Sequence, residues 1–269
     1  MAIDIDIALA PNPSPMTGRG TNTYIVGHGD GVVVIDPGPA DPGHLDAIES
    51  LVQARGRAAM VVLTHHHLDH SEAGPELAHR LGVPLAAAPH PDAPPLDRVL
   101  GLETLEFEGL LLTVLPTPGH TRDHVCLAWE DELAIFAGDL VAGEGYIVID
   151  PPDGDMTDYL DSLRRVANPE LFDLRGGARV LLPGHGPAIE DPQLYLAGYV
   201  AHRLQREEKV LDALVESARR LPDEILPLAY ADTPQAMYPV AARSLQAHLD
   251  KLVRDGRADL LDGGYRRRA

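Results

Sequence analysis

The chain has 269 residues, of which 45% are hydrophobic and 23% charged, and 41 acidic against 22 basic residues leave a formal net charge of −19. Apolar content at the globular average excludes a wholly disordered chain. So acidic a surface repels phosphate backbones at long range, which opposes a broad nucleic-acid-binding face.

In chain order, Met1-Ala2-Ile3-Asp4-Ile5-Asp6 lacks the basic and apolar regions of a secretory signal. No apolar run approaches the roughly 20 residues of a membrane span, so a soluble, cytoplasmic protein is expected. Tyr24-Ile25-Val26 and Val32-Val33-Val34-Ile35 read as strands around a glycine turn, and a helix is expected over His44 to Arg55. Met60 to Leu63 is a strand that runs into a histidine-rich loop, and Leu77 to Leu81 ends a second helix. Leu110 to Leu115 is a strand, and Val125 to Trp129 with Leu133 to Phe136 form a hairpin. Thr157 to Val166 is helical, and Ala178 to Leu182 is a strand before Pro183-Gly184-His185-Gly186. Helical spacing then runs from Gln193 to Arg220, with Val200, Leu204, Val210, Leu211, Leu214 and Val215 as its apolar stripe. Two more helical stretches and a turn at Arg254-Asp255-Gly256-Arg257 follow. The expected organisation is a main α/β domain over 1–192 and a small, mostly helical piece over 193–269. Residues 222–269 hold seven acidic and seven basic residues, so the whole excess of acid lies before them.

Four segments at predicted strand ends carry chemistry. They are Thr64-His65-His66-His67-Leu68-Asp69-His70, Pro118-Gly119-His120, Gly138-Asp139 and Pro183-Gly184-His185. On an extended segment His65 and His67 project to one side, and Asp69 and His70 follow on the turn, able to face a second ion. Imidazole and carboxylate suit Zn²⁺, and manganese or iron is tolerated. The assignment is His65, His67 and His120 on one ion, Asp69, His70 and His185 on another, and Asp139 bridging them around an attacking bridging water. Cys126, the single cysteine, is read as a strand-core residue, and it excludes an intrachain disulfide or a cysteine cluster.

This combined pattern resembles the metallo-β-lactamase superfamily of binuclear hydrolases, over roughly residues 15–190. The resemblance implies a four-layer αββα sandwich with the site at one edge. It also implies that Asp36, in Ile35-Asp36-Pro37-Gly38, supports the metal loop without ligating, and that Asp69 relays a proton. Asp139 stands where zinc β-lactamases carry Cys or Ser, so antibiotic hydrolysis is not expected. The short interval from Asp139 to His185 excludes the large inserted domain of the RNA-processing and DNA-repair nuclease branch.

Gly20-Thr21-Asn22-Thr23-Tyr24, Pro118-Gly119-His120-Thr121-Arg122-Asp123-His124, Tyr159-Leu160-Asp161-Ser162-Leu163 and His202-Arg203 resemble the β-lactamase-like-2 subfamily more than the glyoxalase-II-like thioesterases. That subfamily includes a single-strand endoribonuclease and thioesterases that release polyketides from carrier proteins. His124, Tyr146, His202 and Arg203 are candidates to orient a ligand or line the substrate cleft, each weighed against a packing role. His66 is read as pointing away from the metals. Ser244 to Leu252 with Arg254 to Arg257 resembles the second helix and wing entry of a winged helix. Aspartates 250, 255 and 259 interrupt its recognition face, which favours a lid over nucleic-acid contact, and the terminal Arg266-Arg267-Arg268 is read as a frayed, solvated end.

The expected function is a hydrolase with two divalent ions, acting through a metal-bridging hydroxide on a small ester or thioester. Single-strand endoribonuclease is the alternative, and a metal-stabilised, non-catalytic regulatory or nucleic-acid-binding protein is a third reading. No heptad or other pattern specifies an oligomeric state.

Overall fold

Valine- and isoleucine-rich runs form the strands of two sheets, seen in a computed structural model that describes residues 3–168 and 177–268. The chain divides into two units, and both sheets belong to the first, which comprises 1–117, 123–147 and 165–195. Strands β1 (Ile5–Leu9), β2 (Asn22–Val26), β3 (Gly29–Ile35), β4 (Gly56–Val62), β5 (Leu85–Ala87) and β6 (Arg98–Val99) form a six-stranded sheet in that order. The first three pair antiparallel, and β3 to β6 run parallel. Parallel neighbours need crossovers, which helices supply. Helix α1 (Pro42–Arg55) joins β3 to β4, and α2 (Leu68–Ser71) and α3 (Gly74–Leu81) join β4 to β5. Asp41 caps α1 by accepting from the His44 amide, with Pro42 in the first turn. Leu45, Ile48, Val52 and Leu77 bury one face of these helices against Ile25, Val34 and Val61.

Strands β7 (Thr104–Phe107), β8 (Leu110–Pro116), β9 (Val125–Trp129), β10 (Ala134–Gly138) and β11 (Val180–Pro183) make the second sheet. Its spatial order is β11-β10-β9-β8-β7, and only β10 and β11 pair parallel. Its inner face, with Leu112, Val114, Leu127 and Phe136, packs on Tyr24, Val33, Ile35 and Val62 of the first sheet. Tyr24 and Phe136 meet edge to face at 5.2 Å. Cys126 is a buried residue of β9. Ligand loops gather at the carboxyl ends of parallel strands, and here β3, β4, β10 and β11 all release their loops there. Two hydrogen bonds tie the sheets together at those ends, Asn22 N to Gly184 O and Val125 N to Thr64 O, each 2.8 Å.

The second unit comprises 118–122, 148–164 and 196–269. Most of α4 (Met156–Ala167) and α5 (Pro192–Asp212) falls in it, followed by α6 (Pro222–Ala229), α7 (Tyr238–Arg254) and a hairpin of β12 (Ala258–Leu261) and β13 (Gly264–Arg267). Val210, Leu214, Ile225, Leu245, Leu249, Leu252 and Tyr265 form its core.

Three expectations change here. Helix α5 stops at Asp212 instead of Arg220, because Arg220 exchanges two backbone hydrogen bonds of 2.8 Å with Tyr265 on the hairpin, which a helical residue cannot do. Its buried face is Leu196, Tyr199, Arg203, Arg206, Glu207, Val210 and Leu211, while Leu204 is exposed. The charged members meet partners within the same unit. Arg203 lies over the Tyr159 ring at 5.3 Å, Arg206 holds Asp232 at 2.8 and 3.2 Å, and Glu207 pairs with Lys251 and Arg257 at 3.1 and 2.9 Å. Long basic stems bury as hydrocarbon, so an apolar-stripe count misses them. The terminal arginines are not frayed: Arg266 and Arg267 belong to β13, Arg266 and Arg268 pair with Asp259, and Arg267 pairs with Asp212.

Within this unit His248 is fully buried, and neither ring nitrogen has a hydrogen-bond partner among the described residues. Burial, reinforced by Arg203, Arg206, Lys251 and His202, holds its pKa well below the ordinary value. The folded chain therefore keeps His248 neutral while the unfolded chain binds a proton below about pH 6.5, so its contribution to stability is lost as pH falls through that value. Replacing an unpartnered buried polar group by an apolar one of similar size is neutral or stabilising. His248→Leu is expected to leave the melting temperature level or raised near neutrality, and to flatten its decline between about pH 7 and pH 5. Equal slopes in variant and parent would contradict this.

Candidate metal centre

Loops released by β3, β4, β10 and β11 build the centre around Asp36. This residue follows β3 in the left-handed region, at φ 52°, which a non-glycine residue holds only when its surroundings fix it. They do so through its buried carboxylate. Oδ1 accepts from Thr64 N at 2.7 Å, and Oδ2 accepts from Thr64 Oγ1 at 2.7 Å and from His70 Nδ1 at 2.9 Å. Asp36 thus pins the start of the histidine loop and fixes the His70 tautomer, leaving its lone pair on Nε2. The single turn of α2 brings Asp69 and His70 back beside the strand end. His65 Nε2 and His67 Nδ1 stand 3.0 Å apart.

Asp139 follows Gly138, whose φ is 46° and whose hypothetical Cβ would lie 2.6 Å from Thr64 Oγ1 and 2.8 Å from His124 Nε2. Only glycine fits there. The Asp139 amide donates to His124 Nε2 at 3.0 Å, so His124 carries its proton on Nδ1 and donates to Thr117 Oγ1 at 2.8 Å. Burial pushes the His124 pKa down to about 4, which keeps this ring neutral. On the neighbouring strand, Gly184 donates to Gly138 O at 2.8 Å, and a Cβ on it would come within 2.5 Å of His70 Cε1. That close approach brings His185 to the other histidine.

The resulting donor distances run from 3.3 to 3.8 Å, the longest being Asp69 Oδ2 to His70 Nε2. His70 Nε2 to His185 Nε2 and Asp69 Oδ2 to His185 Nε2 are each 3.3 Å, and Asp139 Oδ1 is 3.5 Å from both His70 Nε2 and His185 Nε2. Ligand atoms about 2.0–2.1 Å from a tetrahedral ion are about 3.3 Å from one another, so this donor set fits a divalent cation. His65, His70 and Asp139 form one convergent group, and Asp69, His70 and His185 form another. Asp139 is therefore within reach of both ends of the cluster.

The electrostatics point the same way. Burial opposes a charge on His70, but the Asp139 and Asp36 carboxylates outweigh it and raise the pKa well above its ordinary value. His185 rises to about 9, because Asp139 and Asp69 overcome the burial cost. Burial raises Asp139, yet His185 and His70 drive it well below the carboxylate range. Asp69 is lowered as well, with burial opposed chiefly by its bond to His185.

The other expected residues are placed as follows. His120 belongs to the second unit, with Nδ1 2.9 Å from Val148 O, which leaves Nε2 as its lone-pair nitrogen. Tyr146 is half-exposed in the loop after Asp139. His202 and Arg203 lie in the second unit; burial, with Arg203 and Arg206, pushes the His202 pKa down to about 4. His66 meets Asp123 Oδ1 at 3.0 Å and stacks on His90 with ring centroids 3.8 Å apart. Asp123 was overlooked as a supporting residue, although it stands between Arg122 and His124 in a segment read as characteristic. Asn22 and Thr23 were overlooked too, and only their place in Gly20-Thr21-Asn22-Thr23-Tyr24 signalled them.

A family model for the metallo-beta-lactamase superfamily matches residues 16–185, and one for the beta-lactamase associated winged helix domain matches 222–265. The chain is 32% identical over 267 residues to a beta-lactamase-like protein 2 homolog of Drosophila melanogaster, covering 93% of this chain and 87% of that one. It is 34% identical to an atrochrysone carboxyl ACP thioesterase of Aspergillus chevalieri, covering 79% of this chain and 66% of that one. A metallo-beta-lactamase family protein from Thermus thermophilus superposes with a TM-score of 0.80 at 23% identity, covering 98% of each chain.

Two outcomes follow from this geometry. Asp36→Asn keeps the shape but turns an N–H toward a donor, and is expected to weaken divalent-metal affinity about 10–100-fold in equilibrium dialysis. An unchanged affinity would contradict the role assigned to Asp36. With the His185 pKa raised to about 9 and that of His70 raised as well, a metal must compete with protons. Calorimetry in buffers of differing ionisation enthalpy should show proton release on zinc binding, with affinity rising up to about pH 9. Binding without proton release would contradict the raised values.

Proposed function

The chain belongs to the metallo-β-lactamase superfamily of hydrolases and carries that superfamily's associated winged helix, and from this premise we propose that it is a binuclear zinc hydrolase of a small ester or thioester. The observation that carries the two-ion reading is Asp139, whose Oδ1 stands 3.5 Å from two histidine nitrogens and which also groups with His65. His65 and His67 would help hold one ion, Asp69, His70 and His185 the other, and Asp139 both. When bound, such ions supply Lewis acidity and bring water toward ionisation near neutral pH.

The protein's own groups do the rest. Asp36 holds His70 in the ligating tautomer, and neutral His124 holds the Asp139 backbone. Asp69 is kept ionised by His185 and His70 while its side chain remains one-third exposed. It can therefore take up the proton lost by attacking water and return it to the departing alkoxide or thiolate, which leaves as alcohol or thiol.

Charge supports a small substrate over RNA. Every basic residue of α7 is paired within the second unit: Arg243 with Asp150, Lys251 with Glu207 and Asp255, and Arg254 with Asp155. Single exposed pairs contribute little stability, but they leave this helix without the unpaired cationic stripe that phosphate contacts require. The thioesterase name of the Aspergillus relative points in the same direction.

Thioester, lactam and single-stranded RNA substrates assayed side by side test this reading. Thioester turnover is expected, abolished by chelation and reduced by more than about 100-fold in His67→Ala, beyond the usual effect of outer residues. Turnover of RNA but not thioester overturns the substrate class. Chelator-resistant turnover, or none on any substrate, overturns the metallohydrolase reading.

A further inference from the structure

Both histidines of the Asp69–His70–His185 group hang on β2. Asn22 N donates to Gly184 O at 2.8 Å, and its side-chain Nδ2 donates to Pro183 O at 3.0 Å and to Gly186 O at 2.9 Å. One buried amide thus clips the carbonyls on either side of His185. The Tyr24 hydroxyl donates to the same Pro183 O at 2.7 Å, and Thr21 pairs with His185 in an antiparallel bridge. Thr23, between Asn22 and Tyr24, serves the other loop. Its Oγ1 donates to Asp36 O at 2.7 Å and stands 3.1 Å from His44 Nε2, and Asp36 in turn orients His70. Strand alternation explains the division of labour, since successive side chains leave opposite faces.

We propose that Asn22 is a positioning residue that sets the affinity of the Asp69–His70–His185 group for its ion, through the placement of His185, and leaves the His65–His67 ligands unaffected. This rests on the two-ion reading above. The residue type matters because a primary amide offers two N–H donors from one atom, whereas a carboxylate offers acceptors only. An aspartate at position 22 would set oxygen against two carbonyl oxygens and loosen the loop that carries His185. The contacts Thr64 Oγ1 to His65 Nδ1 and His65 Nε2 to His67 Nδ1, at 3.1 and 3.0 Å, involve neither β2 nor this loop.

Stepwise titration of the metal-free protein with Co²⁺, read by its ligand-field absorption and by equilibrium dialysis, tests the proposal on Asn22→Asp and Asn22→Ala. The parent is expected to take two ions. In both variants the first is expected to bind as in the parent and the second about 10–100-fold more weakly. Asn22→Ala removes the amide without adding charge, and so keeps the test open should Asn22→Asp not fold. Two ions at parental affinities in the variants, or equal weakening of both, overturn the role of Asn22. A parent that takes a single ion overturns the two-ion reading itself, and the proposal with it.

Discussion

Imidazole nitrogens and carboxylate oxygens packed 3.0–3.8 Å apart in a mostly buried cluster present lone pairs to one another that only cations can reconcile. In the free protein protons take that part, which is why His70 and His185 are raised while Asp139 and Asp69 are lowered. Much of the local structure exists to impose this crowding. Asp36 accepts a left-handed backbone, and Gly138 and Gly184 stand where any side chain would collide with the cluster. Strain and close approach of this kind collect at functional sites, where the surrounding fold offsets their cost.

The charge distribution gives the centre its context. The net −19 comes entirely from residues before 222, and few of those acids belong to the cluster. On the two-ion reading proposed above, the ions would reverse the local sign, so that a small anionic or polar substrate would be drawn inward while a long polyanion would meet an acidic exterior. The winged-helix segment is named for a fold that often contacts nucleic acid, yet here its basic residues are spent on Asp150, Asp155, Asp255, Glu207 and Glu208. Fold resemblance alone does not carry function.

Much of this was legible in the sequence. Long apolar runs such as Val32 to Ile35 and Leu110 to Leu115 became strands, and the histidine and aspartate segments stood out because each follows such a run. Short elements did not register: β5 is three residues of Leu-Ala-Ala and β6 only two, too brief to show a period. Helix α5 was overextended because Arg220 pairs with Tyr265 on the distant hairpin, and its face was misread because Arg203, Arg206 and Glu207 help carry it. The supporting residues were hidden for a related reason. Asn22 acts on carbonyls 161 and 164 residues away, a pairing that no local pattern encodes.

The central claim is that one cluster holds two ions with Asp139 between them. Anomalous diffraction at the zinc edge from zinc-loaded crystals tests it most directly. The account predicts two peaks, one against His65 and His67 and one against Asp69, His70 and His185, with Asp139 contacting both. A single peak, or a second ion that leaves Asp139 untouched, would contradict it.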